Sequence, residues 1–496
     1  MGARRNDISV NDRVQIVAQI LNPERAVGTV TQLAQAHGLS RQSIYAIAAK
    51  GQQVLAEHLK PTGPGPQPAA QMIRVDLNRL RRSTLVLTEA GVSQREIEVC
   101  LAEILDTPLT ASWVNGQLRQ LEAAAQQVNQ QWRPVVQEIL AGDELYANGQ
   151  PNLLLVGTET LYIYALSRQP DCDGQTWGCL LLEIAAPGLL ASDAGTGLAL
   201  GAKLAKLAGH QLDWDHLLRP LWGQVARLEQ QAYAALAQVE ERAALFEQAT
   251  TAKRLAQHLA KWEQLTQMAA EKIARYDAFY QVARQIDAWF ALIDLTTGQL
   301  QDVPTGIAQL TALGQQLQGW TGRIYPKLRT HLQNWPAQLF SYQPFLAQAL
   351  QPLQAQYGPA GIAALGQLWQ LEANHKRRPL SRLDQDHLQT QWAQALDQAA
   401  ACLGEYLWSA WEAVSQVLGR TWRGSMLAEC VNSLLRPRLD GRKHTDQGCL
   451  DLFCFLHNVR PFQRGKRAGS SPAQLVGLDL PDDPLTLLGL EPKVSI

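Results

Sequence analysis

The spacing of apolar and polar residues changes along the chain, and each change predicts a different kind of structure. Apolar residues recur at helical intervals from residue 10 to about residue 131, which predicts a series of helices. From about residue 140, runs such as PNLLLVGTETLYIYALSR alternate with turn residues, which predicts two or three strands in a meander. Residues 221–420 return to a helical pattern rich in Ala, Leu and Gln.

The first helical segment has the punctuation of a helix-turn-helix. A helix predicted over residues 30–37 meets Gly38 and Ser40, and a second helix begins at Arg41. Gly38 suits the left-handed turn, and Ser40 suits the N-cap of the second helix. This second helix would present four side chains where contacts to a DNA groove are made, namely Arg41, Gln42, Ser43 and Tyr45. A plain helical hairpin is the alternative interpretation.

A stretch rich in Pro and Gly, KPTGPGPQPAAQ, follows this segment. Its composition excludes a regular helix and indicates a linker over residues 61–72. In the second helical unit, residues 73–131, Gly91 and Ser93 repeat the earlier punctuation, and a second recognition helix is predicted near 111–119. Two such units on a tether could bind neighbouring stretches of one DNA site.

Composition narrows the class of protein. The 496 residues are 46% hydrophobic and 18% charged, which suits several packed domains. The chain has no run of about 18 apolar residues, so no membrane span is predicted. Its seven cysteines include no CxxC pair, which fits a reducing cytoplasm. Although the net charge is −1, basic side chains outnumber acidic ones in residues 1–82 and again in residues 420–467. Basic ends on a neutral chain suggest a polyanionic partner, although either cluster alone could be solvated surface charge.

Three acidic residues stand at notable positions in the strand-containing regions. Asp143 lies where a strand is predicted to begin, Asp193 follows the buried run GLLAS, and Glu429 lies in a helical pattern. If the three carboxylates converge, they form an oxygen-rich, negative site of the kind that Mg²⁺ prefers. Two such ions could act on a phosphodiester. Any one of these acids alone is better explained as a helix or turn cap.

Other polar residues compete for the same role. Glu144 adjoins Asp143 and is expected to point to the opposite face of the strand. In LDWDH, Asp213 and Asp215 follow another short strand, and His216 could organise the site, contact DNA or be a hydrogen-bonded structural residue. The acids Glu405 and Glu412 lack the Asn and Arg neighbours of Glu429.

Four segments, taken in order, resemble the DDE transposases of bacterial insertion sequences. They are DELY with PNLLLV, then SDAGTGLA, ECVNSLLR and LHNVRPFQRGKRAGSSPAQLVGL. The resemblance covers about 140–220 and 421–480. It implies an RNase H-like catalytic core in which Asp143, Asp193 and Glu429 bind two Mg²⁺ ions, with Mn²⁺ as a substitute. The long gap before Glu429 departs from compact members and matches those with a helical domain inserted there.

Many basic residues lie close to Glu429 in sequence, and guanidinium groups suit phosphate oxygens. The candidate DNA-binding residues in this region are Arg436, Arg438, Arg442, Lys443, Arg464, Lys466 and Arg467. A positive rim beside an acidic pocket is what DNA cutting requires, because the rim holds the backbone that the pocket cleaves.

The expected fold is α+β and mostly helical, with a large all-α insertion inside a mixed-sheet core. The predicted layout is a helix-turn-helix domain at 1–60, the linker at 61–72, a second helical DNA-binding unit at 73–131, the first part of the core at 132–220, the all-helical insertion at 221–420, the rest of the core at 421–465, and a C-terminal tail at 466–496.

The expected function is that of a transposase, which binds the inverted repeats of its element, cleaves DNA with Mg²⁺ and transfers the 3′-hydroxyl to target DNA. Its partners would be double-stranded DNA and further copies of the chain, as a homodimer or larger assembly on DNA, with no membrane. It would work in the bacterial cytoplasm, associated with the nucleoid. The alternatives are a domesticated DNA-binding protein that has lost catalysis and an RNase H-like nuclease that cuts without joining.

Overall fold

The structure is a computed structural model that describes residues 8–59, 76–105, 109–184, 188–248, 250–377, 382–440 and 445–492. The chain divides into two compact units, Met1–Val75 and Asp76–Ile496. The predicted linker at 61–72 lies outside the described residues, as do Arg442 and Lys443. Among the described residues, no helix has both the length and the apolar character needed to cross a membrane.

The first unit contains three short helices around a small core. These are α1 (Val10–Leu21), α2 (Thr29–Ala36) and α3 (Arg41–His58). Gly38 takes a left-handed conformation with φ of 61°, and the Ser40 hydroxyl accepts a hydrogen bond from the backbone N–H of Ser43 at 3.0 Å. The predicted turn and cap are therefore confirmed. The buried core side chains are Ile16, Ile20, Leu33, Ala34, Ile44 and Ala48.

The second unit contains the strands β1 (Leu140–Ala147), β2 (Gln150–Gly157), β3 (Ile163–Arg168), β4 (Leu189–Ser192) and β5 (Gly209–Leu212). Its helices are α4 (Leu77–Glu89), α5 (Gln94–Leu105), α6 (Ala111–Gln131), α7 (Gly174–Leu182), α8 (Thr196–Leu204), α9 (Trp214–Glu247), α10 (Ala252–Ala288), α11 (Val303–Gln316), α12 (Ile324–Asn334), α13 (Gln343–Tyr357), α14 (Pro359–Arg377), α15 (Arg382–Leu403), α16 (Leu407–Gly419), α17 (Met426–Asp440), α18 (Gln447–Val459) and α19 (Pro472–Leu475).

The five strands form one mixed sheet in the order β3-β2-β1-β4-β5. The meander β1-β2-β3 is antiparallel, as its sequence predicted, while β4 and β5 run parallel to β1. One face packs on α7 and α8 through Trp177 and Leu198, and the other packs on α17 and α18 through Val431 and Phe453. The prediction of a mostly helical α+β fold around a small mixed sheet is confirmed.

The free edge of β3 is covered by side chains of α18. Asn458 accepts from the backbone N–H of Ile163 at 2.8 Å and donates to its carbonyl at 3.1 Å. His457 Nε2 lies 2.9 Å from the carbonyl oxygen of Leu161, and burial lowers the pKa of His457 to about 4. These contacts satisfy backbone groups that an edge strand otherwise exposes. The motif residues His457 and Asn458 therefore have a structural role.

The predicted all-helical segment is built from α9 to α16 and has its own large core. Helix α9 begins at Trp214, directly after β5, so it runs unbroken through the predicted boundary at residue 221. Leu189 of β4 and Leu212 of β5 belong to the same core. The sheet and the helical segment are thus joined by packing as well as by chain connection.

Close packing of α8 on α7 depends on Gly201. A Cβ at this position would collide with the Trp177 side chain and lie 2.9 Å from the Gly178 nitrogen. We expect Gly201→Ala to lower the free energy of unfolding by about 1–3 kcal/mol, since backbone atoms cannot easily move aside. At Gly223, on α9, a Cβ would meet no atom within 4 Å, so Gly223→Ala should stabilise the protein by about 0.5–1 kcal/mol.

Denaturant unfolding of the two glycine variants beside the wild-type chain measures both changes. Equal stability of Gly201→Ala and the wild-type chain would show that α7 and α8 do not approach as closely as described.

Candidate functional site

Three aspartates lie in a row at one edge of the sheet. The register of the parallel strands β1, β4 and β5 aligns the residues that stand two places before each aspartate. Continuing along the three strands brings Asp143, Asp193 and Asp213 level with one another. The carboxyl ends of parallel strands are where binding sites form in open sheets.

Asp143 lies in the middle of β1, which begins at Leu140, whereas the sequence placed it at the start of a strand. The difference arises because β1 has two partners of unequal length. Its pairing with β4 ends at Ala141, but its pairing with β2 continues to Ala147. Asp143 is therefore held by a long hairpin while its β4 side is open.

Glu429 reaches the same edge on α17, which packs over β1. Alternate residues of a strand share a face, so Asp143 points to the α17 side together with the buried Leu145. Asn432, one turn after Glu429, donates from its Nδ2 to Asp143 Oδ2 at 2.7 Å. This hydrogen bond fixes the helix over the strand at the position of the third acid.

The three carboxylates share one electrostatic environment. Burial raises the pKa of Asp143, and the negative charges of Asp193 and Glu429 raise it further, against the hydrogen bonds from Asn432 and from the backbone of Glu144. The charge of each acid is thus felt at Asp143. The three predicted residues come from distant parts of the chain, and the charges of Asp193 and Glu429 both reach Asp143.

Glu144, which the sequence offered as a competing candidate on the opposite face of the strand, lies near this group from the other face of β1. A Cβ added to Gly195 would lie 2.9 Å from Asp193 Oδ1 and 4.0 Å from Glu144 Oε1, so the two carboxylates border the same small space. Burial raises the pKa of Glu144 to about 7, with the charges of Asp193 and Asp143 adding to the effect. Two consecutive acids on a strand were the available signal, because they can flank an open sheet edge from both sides.

Asp213 is a buried anchor for the elements around the site. Its side chain is 1% exposed and accepts hydrogen bonds from the backbone N–H and the hydroxyl of Ser425 at 2.8 and 2.7 Å. Although burial alone would raise its pKa, hydrogen bonds from His216 and Ser425 lower it. Because Ser425 directly precedes α17, this carboxylate ties the end of β5 to the helix that carries Glu429.

His216 links Asp213 to Glu429. Its Nδ1 lies 2.9 Å from Asp213 Oδ2, and its Nε2 lies 3.8 Å from Glu429 Oε1. The hydrogen bond with Asp213 raises the pKa of His216 despite its partial burial, and neighbouring acidic charges contribute. The Glu429 side chain is 39% exposed, so the acid that His216 faces is open to solvent.

The predicted basic rim divides into exposed and internally bound side chains. Arg436, Arg464 and Lys466 are exposed. In contrast, Arg438 forms an ion pair with Glu89 at 3.1 Å. The Arg467 guanidinium donates to the carbonyl of Thr158 at 3.0 Å. The side chains of Arg438 and Arg467 are therefore bound to other parts of the protein itself.

The remaining candidates are placed as follows. In the first unit, Arg41, Gln42 and Tyr45 of α3 are exposed and Ser43 is partly exposed. The competing acids Glu405 and Glu412 are exposed on the helical segment.

The side-chain oxygen atoms at the sheet edge are of the type that binds a hard cation, but they are not close enough together to coordinate one ion. Within the described ranges, no three His, Cys, Asp or Glu side chains are grouped closely enough to hold a metal ion. The carboxylates nevertheless repel one another at Asp143. Asn432 Oδ1 is buried beside them without a hydrogen-bond partner in the described chain. An oxygen-only donor set with unrelieved negative charge fits Mg²⁺ or Mn²⁺.

No known protein-family model matches the chain, and no curated protein matches it. The resemblance to DDE transposases therefore rests on the four sequence segments alone.

Removing the Asp213 carboxylate should destabilise the second unit. Asp213→Ala leaves the Ser425 hydroxyl and backbone N–H and the His216 Nδ1 without their acceptor, and a buried network broken on one side costs about 2–4 kcal/mol. Denaturant unfolding at neutral pH measures the loss. The matched control is Asp386→Ala on the exposed surface of α15, which should change stability by less than about 0.5 kcal/mol. Similar values for both variants would contradict the anchoring role.

Proposed function

We propose that the chain is a DNA transposase of the DDE type and that the mixed sheet with its flanking helices is its RNase H-like core. The observation that carries the proposal is that Asp143 on β1 and Asp193, directly after the neighbouring parallel strand β4, lie at one edge of the sheet, over which α17 carries Glu429. Acidic residues that only cap helices or turns are not expected to lie near one another at one sheet edge, as residues 143, 193 and 429 do.

Asp143, Asp193 and Glu429 would hold the divalent ions, with Glu144 as a further carboxylate at the same edge. When bound, Mg²⁺ or Mn²⁺ would activate a water or a 3′-hydroxyl of the DNA for attack on a phosphodiester and stabilise the leaving oxygen. The chain prepares this site in two ways. Asn432 orients Asp143, and the Asp213 anchor fixes the start of the helix that bears Glu429. Forming the ligand shell requires these side chains to move closer together than they lie here.

His216 is proposed as an accessory residue that orients Glu429. Its hydrogen bond to Asp213 fixes the ring, so that Nε2 faces the Glu429 carboxylate. A charged imidazole there would offset part of the negative charge at the acidic edge before a cation is bound.

DNA binding is assigned to two surfaces. The start of α3 offers Arg41, Gln42, Ser43 and Tyr45 to a groove, as expected of a recognition helix. In the C-terminal part of the chain, the exposed cations Arg436, Arg464 and Lys466 can contact phosphates. The two surfaces would serve terminal-repeat recognition and backbone positioning respectively. Joining two element ends to a target requires at least two protomers on the DNA.

Replacing Asp193 tests the catalytic assignment. Asp193→Asn can still accept the hydrogen bond that Gly195 donates to Oδ1 at 2.9 Å, but it removes a cation-binding charge. Cleavage and strand transfer of end-repeat DNA with Mg²⁺ should fall by roughly a hundredfold or more, while the gel shift with the same DNA is unchanged. The control Asp479→Asn alters an exposed acid and should leave both readouts at wild-type levels.

The wild-type chain in the same assay separates the alternatives. Strand-transfer products support a transposase, cleavage without joining indicates a nuclease, and a gel shift alone indicates a DNA-binding protein without catalysis. Joining that persisted in Asp193→Asn would refute the proposed site.

Replacing Arg41 tests the proposed recognition helix. Arg41→Ala in the full chain should weaken binding to end-repeat DNA by about 1–3 kcal/mol and reduce discrimination against unrelated DNA. Lys50→Ala removes the same charge from the exposed C-terminal half of α3 and should have a smaller effect that does not depend on sequence. Fluorescence anisotropy at fixed salt measures both affinities. Equal losses for the two variants would argue against sequence reading by the start of α3.

A further inference from the structure

Asp193 stands where the chain leaves the sheet, so its position depends on the turn that follows β4. The pairing of β4 with β5 ends at Ser192, whose carbonyl accepts a hydrogen bond from the backbone N–H of Asp213 at 2.8 Å. Beyond it, Asp193 Oδ1 accepts from the backbone N–H of Gly195 at 2.9 Å, and Gly195 caps α8 without a side-chain hydrogen bond. Asp193 is thus presented by a short turn rather than by a strand ladder.

The buried Ser192 hydroxyl contacts the backbone of this turn. Its Oγ donates to the carbonyl of Asp193 at 2.9 Å and lies 2.8 Å from His210 Nε2. A hydroxyl has one proton, so while that proton points to Asp193, the contact with His210 needs a donor on Nε2. Burial lowers the pKa of His210 to about 4, although the charge of Asp193 opposes the shift. The ring is therefore neutral near pH 7, with its single proton on Nε2.

His210 reaches Ser192 from the neighbouring strand. It pairs with Leu190 in the parallel register of β4 and β5. Because alternate residues of a strand share a face, Leu190, Ser192 and His210 point to the same side of the sheet, where Leu190 belongs to the core shared with α7 and α8. The carbonyl of His210 accepts from the Ser341 hydroxyl at 2.8 Å. The residue is therefore fixed both by β5 and by the helical segment.

We propose that His210 is a positioning residue for Asp193, acting through the Ser192 hydroxyl. This inference rests on the proposed function, since it concerns an acid assigned to the divalent ions. The imidazole N–H donates to Ser192 Oγ and directs the hydroxyl proton to the Asp193 carbonyl, which fixes the backbone that carries the carboxylate. His216 faces the Glu429 carboxylate directly, whereas His210 acts on its acid through the main chain. Removal of groups that orient metal ligands typically weakens metal binding by roughly 10- to 100-fold.

Amide hydrogen exchange of the metal-free chain tests the geometry by itself. His210→Leu removes the donor and keeps an apolar side chain, and Ser192→Ala removes the hydroxyl. Each should raise exchange in residues 193–201 by roughly two- to tenfold, the effect of losing about one hydrogen bond, and leave residues 150–157 of β2 unchanged. The matched control His387→Leu alters an exposed histidine of α15 and should exchange like the wild-type chain. Circular dichroism establishes that each variant is folded.

Binding of Mn²⁺ to the DNA-free chain tests the link to the acidic edge. Electron paramagnetic resonance, which measures free Mn²⁺, should show binding weakened by roughly tenfold or more in His210→Leu and in Ser192→Ala. His210→Gln keeps an N–H donor on a side chain of similar reach, so its affinity should stay close to that of the wild-type chain. His210→Leu combined with Ser192→Ala should lose no more than the larger single loss, because both changes break one chain of hydrogen bonds.

The outcomes separate this inference from the proposed function. Wild-type exchange at 193–201 in both single variants, or a His210→Gln variant that loses as much Mn²⁺ affinity as His210→Leu, would overturn the role of His210. Additive losses in the double variant would also overturn it, since the two side chains would then act independently. Equal Mn²⁺ affinity of Asp193→Asn and the wild-type chain would instead refute the proposed metal site, and the exchange measurement would still decide whether His210 holds the turn.

Discussion

The parallel pairing of β1, β4 and β5 is the constraint on which the candidate site depends. It fixes three backbones at the strand spacing and in one register, and that register brings Asp143, Asp193 and Asp213 to the same level. A shift of one residue in either pairing would turn an aspartate to the opposite face. Such a shift would also bury polar groups in cores that are apolar on both faces of the sheet. The packing of α7, α8 and α17 therefore protects the alignment of the acids.

The buried carboxylate of Asp213 holds together the two ends of the large helical segment. Asp213 stands just before α9, where the chain leaves the sheet, and Ser425 stands just before α17, where the chain returns. Their hydrogen bond holds the two ends together, so the long segment between them can be added without displacing Glu429. Loop closure costs little extra for a long segment, and its folded core of Leu, Phe and Trp side chains contributes its own stability. Through this closure, a sheet and a helical body share one unit.

Mutual repulsion among the acidic residues at the sheet edge lowers the stability of the folded protein when no cation is bound. Asp143 and Glu144 both have raised pKa values because they are partly buried near other carboxylates. Folding therefore holds together groups that repel one another, which is typical of sites shaped for a ligand rather than for stability. His216 is the one positively chargeable side chain among the described residues that lies within 4 Å of a predicted acid of this group. His216 can therefore offset only part of the negative charge at the acidic edge.

The sequence by itself determined what local chemistry decides. Gly38 and Ser40 set a turn and a cap, the meander followed from residue periodicity, and the acid after the run GLLAS was correctly placed at a strand end. Contacts between residues hundreds of positions apart were decided only by the tertiary structure. It showed that Asp213 is an anchor, that Glu144 reaches the acidic edge from the other face, and that Arg438 and Arg467 are bound internally. The physical reason is that turns, caps and periodicity act over a few residues, whereas the neighbours of a charged side chain are set by strand register and helix packing.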